Sequence, residues 1–112
     1  MVTGVVLWTS HKEATIVSIT DGMEEILHVE SNAKKGTEEK GRQHRGEHCR
    51  KVIRAIQGAQ EIFIFGPAEA KLELKSEILK VETLSHRVVG TETADTMTED
   101  ELVARAREIC RS

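Results

Sequence analysis

The segment Glu61-Ile62-Phe63-Ile64-Phe65-Gly66-Pro67 restricts the chain more than any other. Residues 61–65 read as a strand, being short, largely apolar and rich in β-branched and aromatic side chains. Gly66-Pro67 then opens a helix, and proline suits the first helical position, where its missing N–H costs nothing. The run just upstream already has a helical period. Cys49, Val52, Ile53 and Ile56 form one apolar stripe from Glu47 onward, and Gly58 is a natural stop. Downstream of Pro67, Leu72, Ile78 and Leu79, with Ala68 or Leu74, are expected to supply a second buried helix face. His86-Arg87-Val88-Val89-Gly90-Thr91 follows as a strand. Thr98-Glu99-Asp100-Glu101 has the form of a capping box. It predicts a last helix from Glu99 to Ile109, with Leu102, Val103, Ala106, Ile109 and Cys110 inward. Strands that alternate with helices are parallel, with right-handed crossovers.

The first thirty residues behave differently. Val5-Val6-Leu7-Trp8-Thr9 is nearly continuous in apolar residues, as a strand buried on both faces is. Ala14 to Ile19 is β-branched and reads as a second strand. Asp21-Gly22 is a strong hairpin signal, and Glu25 to Glu30 follows as a third strand. The predicted order is β-β-β-α-β-α-β-α: an α/β fold with a five-stranded mixed sheet and three helices. That architecture corresponds to the ribonuclease-H-like class. The free edge of the meander, Ile26 to Val29, leaves a homodimer open.

The 112 residues are read as one domain, 1–112, since 38% of them are hydrophobic and that suffices for a layered core. No apolar run approaches 18 residues, so no membrane association is expected. Met1 to Val5 lacks the pattern of a secretory leader. Two cysteines, Cys49 and Cys110, are too few for a disulfide scaffold. A reducing, cytoplasmic setting follows.

The net charge of −3 is unevenly placed. Between Lys34 and Arg54 there are eight basic residues against three acidic ones, a local +5 that leaves −8 for the rest. Residues 31–46 contain no aliphatic side chain larger than Ala33 and cannot bury a face, so they read as an exposed basic loop. A cationic segment on an anionic body points to an anionic partner.

Other chemistries find less support. A two-metal nuclease needs converging carboxylates, and Val5 to Thr9 holds none. Asp95, Glu99, Asp100 and Glu101 gather at a helix start, where the helix dipole accounts for them. His44 and His48, with Cys49, resemble a zinc set, but Cys49 belongs to the apolar stripe. Cys49 and His48 also point about 100° apart on a helix, which argues against a nucleophilic pair. The Gly66-Pro67 turn is a weak phosphate signal, because proline removes a donor. Trp8 and 3% aromatics make no stacking platform. No metal and no cofactor is expected.

Three blocks carry a resemblance. Gly4-Val5-Val6-Leu7-Trp8 followed by Lys12-Glu13-Ala14-Thr15-Ile16 is the first. Ile62-Phe63-Ile64-Phe65-Gly66-Pro67-Ala68-Glu69-Ala70-Lys71 is the second, and Arg87-Val88-Val89-Gly90-Thr91-Glu92 with Glu101-Leu102-Val103 is the third. In this order they resemble the middle domain of archaeal and eukaryotic class-one peptide-chain release factors. The closest look is of small stand-alone bacterial members, described as translational machinery components. In the release factors the loop after the third strand carries Gly-Gly-Gln, whose glutamine promotes peptidyl-tRNA hydrolysis on the ribosome. The matching segment here is Lys40-Gly41-Arg42-Gln43-His44-Arg45-Gly46. Arg42 stands where the family has its second glycine, and a β-carbon there hinders both positive φ and close approach to RNA.

The resulting expectation is a non-catalytic ribosome- or RNA-associated protein, bacterial in type. It would hold rRNA or tRNA phosphates through Lys34, Lys35, Lys40, Arg42, Gln43, Arg45, Arg50 and Lys51. Its partner would be the ribosome or another structured RNA, not DNA. Two alternatives stay open: peptidyl-tRNA ester hydrolysis (release or rescue) with Gln43 positioning water, and a protein-interaction or stress module with an acidic protein partner.

Overall fold

The computed structural model describes residues 3–10, 12–30 and 48–110. The elements are β1 (Thr3–Thr9), β2 (Glu13–Thr20), β3 (Met23–Glu30), α1 (described over 48–55), β4 (Glu61–Gly66), α2 (Ala68–Leu79), β5 (Val88–Thr93) and α3 (Glu99–Ile109). The strands make one sheet in the order β3-β2-β1-β4-β5. β1 and β2 are antiparallel, as are β2 and β3, whereas β4 pairs parallel to β1 and β5 parallel to β4. β2 alone therefore runs against the other four.

The apolar run in β1 has a simple cause: both its faces are covered. Val5 and Leu7 pack on one side with Ile16, Ile62 and Ile64, beneath Val52 and Ile56 near α1 and Leu74 and Ile78 of α2. Val6 points the other way, to Val17, Phe65 and the Leu102 and Ala106 of α3. The sheet is thus a middle layer, with α1 and α2 on one face and α3 on the other. Trp8 is half-buried, and its Nε1–H donates to the Ala94 carbonyl at 3.0 Å, tying β1 to the chain that leaves β5.

The β2–β3 turn is as the sequence requires. Asp21 and Gly22 have φ of 52° and 80°, and Thr20 pairs with Met23, so the loop is the two-residue, left-handed kind that matches strand twist. α3 begins at its capping box: Thr98 Oγ1 accepts from the Glu101 N–H at 3.1 Å and donates to Glu101 Oε1 at 3.1 Å.

Three expectations need correction. The buried stripe of α2 is Ala70, Lys71, Leu74 and Ile78, whereas Leu72 and Leu79 are exposed. Ala70, Leu74 and Ile78 stand four apart and share a face, and Leu72 is set halfway round from both its neighbours in that line. β5 begins at Val88 rather than His86, because residues 82–87 are taken up by turns. Pro67 occupies the N-cap (φ −55°, ψ 147°), one position before the first helical residue.

Candidate functional site

β1, β3, β4 and β5 all end at the same edge of the sheet, the edge where α2 and α3 begin. Glu30 closes β3 there. His48 returns the chain there, buried against the end of β1 with its Nε2 3.5 Å from Thr9 Oγ1. Thr9 Oγ1 also donates to the Ser10 carbonyl at 3.0 Å. Glu30 and His48, the described residues on either side of 31–47, therefore sit at the carboxyl ends of the parallel strands.

From His48 the helix is oriented by its core residues. Cys49 and Val52 are buried beneath it, with Ile56 just beyond its last turn, and Ile53 is half-buried. The remaining positions, Arg50, Lys51 and Arg54, are thereby turned outward. Arg50 and Arg54 are exposed, Lys51 is half-buried, and none of the three makes an ion pair among the described residues. Elsewhere Arg105 pairs with Glu92 at 3.0 Å and Glu108 at 3.1 Å, Arg107 with Glu24, and Lys80 with Glu77 at 3.2 Å, whereas Lys12, Lys75 and Arg87 are dispersed single cations with no ion pair among the described residues.

Two open grooves flank this face. One, of about 370 Å³, lies between α1 and β3, where Lys51 and Arg54 face Leu27, Val29 and Glu30. The other, of about 320 Å³, runs between α1 and the end of α2, where Arg50, Arg54, Gln57 and Lys80 line it together with the Glu77 carboxylate. Arg54 borders both. It contributes to the local charge but is not among the contact residues expected from sequence. Its signal was its place four residues after Arg50, one turn further along the same face.

Of the expected contact residues, the structure places Arg50 and Lys51 together on this face. Lys34, Lys35, Lys40, Arg42, Gln43 and Arg45 lie outside the described residues, as does His44. Cys49 is a core thiol: burial first, and then Glu73 and Glu77, push its pKa up to about 11. Burial, with Glu61 adding to it, also raises the Cys110 thiol. Neither is an activated nucleophile. Gly66 is explained by packing, since a Cβ there would strike the Thr9 carbonyl oxygen. Lys71, nine-tenths buried behind that turn, donates from Nζ to Thr93 Oγ1 at 2.7 Å and links α2 to the end of β5. The acidic residues at the start of α3 serve its cap and a contact from Glu99 to His28 Nε2 at 3.6 Å.

Solved structures contain the same arrangement. Pelota from Thermoplasma acidophilum superposes with a TM-score of 0.66 over 92% of this chain and 31% of its own, at 14% identity. Pelota from Archaeoglobus fulgidus gives 0.65 over 96% and 31%, at 12% identity. The archaeal translation termination factor aRF1 gives 0.61 over 93% and 33%, at 15% identity. This chain shares their fold. It spans about a third of the length of each, and the aRF1 match agrees with the resemblance to a release-factor middle domain. By sequence, no family model and no curated protein matches it. No helix among the described residues is long and apolar enough to cross a membrane.

Proposed function

We propose that this protein is a non-catalytic, translation-associated module that holds ribosomal or transfer RNA by its phosphates. The observation that carries the reading is the α1 face, where Arg50, Lys51 and Arg54 cluster and have no carboxylate partner among the described residues, on a chain whose net charge is negative. Cations kept unpaired between two open grooves suit a polyanion, whose bound counterions are released on contact. In this reading Lys34, Lys35, Lys40, Arg42, Gln43 and Arg45 extend the same contact along the loop 31–46, and Arg50 and Lys51 mark where loop and helix meet. The domain is 1–112, in the ribonuclease-H-like class, which suits a meander joined through β1 to two parallel strands. The name of aRF1, a translation termination factor, supports a ribosomal partner and hence a cytoplasmic setting.

The test is sedimentation of the full chain with ribosomes through a gradient, with and without nuclease. Co-migration that nuclease abolishes is the expected result. Absence from the ribosomal fractions at low salt would overturn the reading, and persistence with protein fragments after nuclease would favour an acidic protein partner instead. Peptide release from peptidyl-tRNA that disappears in Gln43→Ala would overturn the non-catalytic part alone.

A further inference from the structure

β3 is the outermost strand on one side of the sheet. It pairs with β2 without interruption over eight residues and contains no proline, lysine or bulge, so the only blunting device on the strand itself is its charge, carried by Glu24, Glu25 and Glu30. Met23, Ile26 and Leu27 on it are 74%, 42% and 49% exposed. We infer that β3 pairs with β3 of a second copy of this chain, antiparallel about a two-fold axis through Ile26.

The register follows from symmetry and charge. A two-fold axis normal to the sheet keeps every side chain on its own face. Directly opposite residues must share a face, so the axis can pass only through a residue and never between two. Centring on Glu24 or Glu25 sets two carboxylates against each other on the axis. Centring on Leu27 sets Glu24 against Glu30 twice. Like charges directly opposite are destabilising. Centring on Ile26 avoids all of these and pairs residues 23–29 of each strand, whereas centring on His28 pairs only 26–30 and sets the two imidazoles against each other on the axis. Ile26 then meets Ile26, Glu25 meets Leu27, Met23 meets Val29, and Glu24 meets His28 on both sides of the axis.

The Glu24–His28 match falls among charges already aligned on the α3 face. Arg107 of α3 pairs with Glu24, and Glu99 of α3 lies 3.6 Å from His28 Nε2. Pairing at this register strings Arg107 and Glu24 of one copy to His28 and Glu99 of the other, in a line that passes from basic to acidic to imidazole to acidic. On the opposite face, α1 borders Leu27 and Val29 across its groove. Because the axis preserves faces, the two sheets become continuous and both α1 helices lie on one side of them.

The test uses the full chain. Native mass spectrometry and sedimentation equilibrium are expected to show a species of twice 12.5 kDa that dissociates on dilution. In a Cys110→Ser background, Ile26→Cys is expected to form an intermolecular disulfide on mild oxidation. Leu27→Cys is not, because two residues of offset hold its copies beyond the ~7 Å Cα reach of a disulfide. Ile26→Lys, at an exposed position that tolerates charge, should weaken the dimer roughly tenfold, about 1.4 kcal/mol. A monomer at all concentrations, a dimer indifferent to Ile26→Lys, or crosslinking at Leu27 in place of Ile26 would each overturn the inference. None of these readouts depends on RNA, so the dimer and the RNA reading fail separately.

Discussion

Gly66 shows how one residue fixes the geometry around it. It ends β4 beside β1, with φ of 156°, and its missing Cβ is what lets the Thr9 carbonyl come close. Gly66→Ala should therefore lower stability by about 2 kcal/mol, as forced overpacking does. Urea denaturation measures it, and an unchanged midpoint would show that the turn can shift without cost. Cys49 makes the second residue-scale prediction. Its thiol is held near 11 against an ordinary 9.0, so the folded state keeps a proton that the unfolded chain gives up first. This contribution to stability is complete below pH 9 and is lost as the pH climbs from 9 to about 11. The stability gap between the wild type and Cys49→Ala should accordingly be narrower at pH 10.5 than at pH 8. A gap that stays constant would mean the thiol is not burial-shifted.

At the scale of elements, α3 was the most legible. Thr98 and Glu101 announce its start by their chemistry: the Glu101 N–H bond to Thr98 Oγ1 is the one the pattern implies, while the Glu101 carboxylate meets the Thr98 hydroxyl instead of its backbone N–H. Thr98→Ala removes the acceptor for the Glu101 N–H and should cost about 1 kcal/mol, read as a lower thermal midpoint. The hairpin was equally legible, because Asp21-Gly22 tolerates the positive φ at both positions. α2 was not. It offers Leu72, Leu74, Ile78 and Leu79, more aliphatic residues than one face can hold, and a chain read alone cannot tell which ones meet the sheet. The structure resolves this through Ala70, small enough to approach the sheet, and through Lys71, whose ammonium is satisfied by Thr93. That partner is distant in sequence and gives no local signal. β5 was displaced for a similar reason. His86 and Arg87 look like the start of a strand, but Arg87 instead caps the turns, its N–H donating to the Leu84 carbonyl at 2.9 Å and its carbonyl accepting from Ile62 at 2.8 Å. For α1 the prediction is one of indifference. Arg50→Glu, Lys51→Glu and Arg54→Glu together should move the unfolding free energy by no more than about 0.5 kcal/mol each, because these side chains pack in no core.

For the molecule as a whole, the topology matters more than any single side chain. Four of the five strands run the same way, so the carboxyl ends of the parallel strands, two helix starts, and Glu30 and His48 on either side of 31–47 meet at one edge. This was partly legible: the alternation of strand and helix implied parallel strands, and the charge count located the basic stretch. Sequence could not supply the two grooves beside α1 or the part Arg54 plays in both, because they depend on how α1 lies between β3 and α2. The central claim is that α1 carries unpaired cations for phosphates. A salt titration of binding to ribosomal RNA, for the wild type and for Arg50→Glu/Lys51→Glu/Arg54→Glu, tests it most directly. With about five phosphates engaged, the wild type should show a slope of roughly −4 to −5 in log affinity against log salt, and the variant a slope shallower by about 2 to 3. Equal slopes for the two proteins, or a flat response from the wild type, would contradict the account.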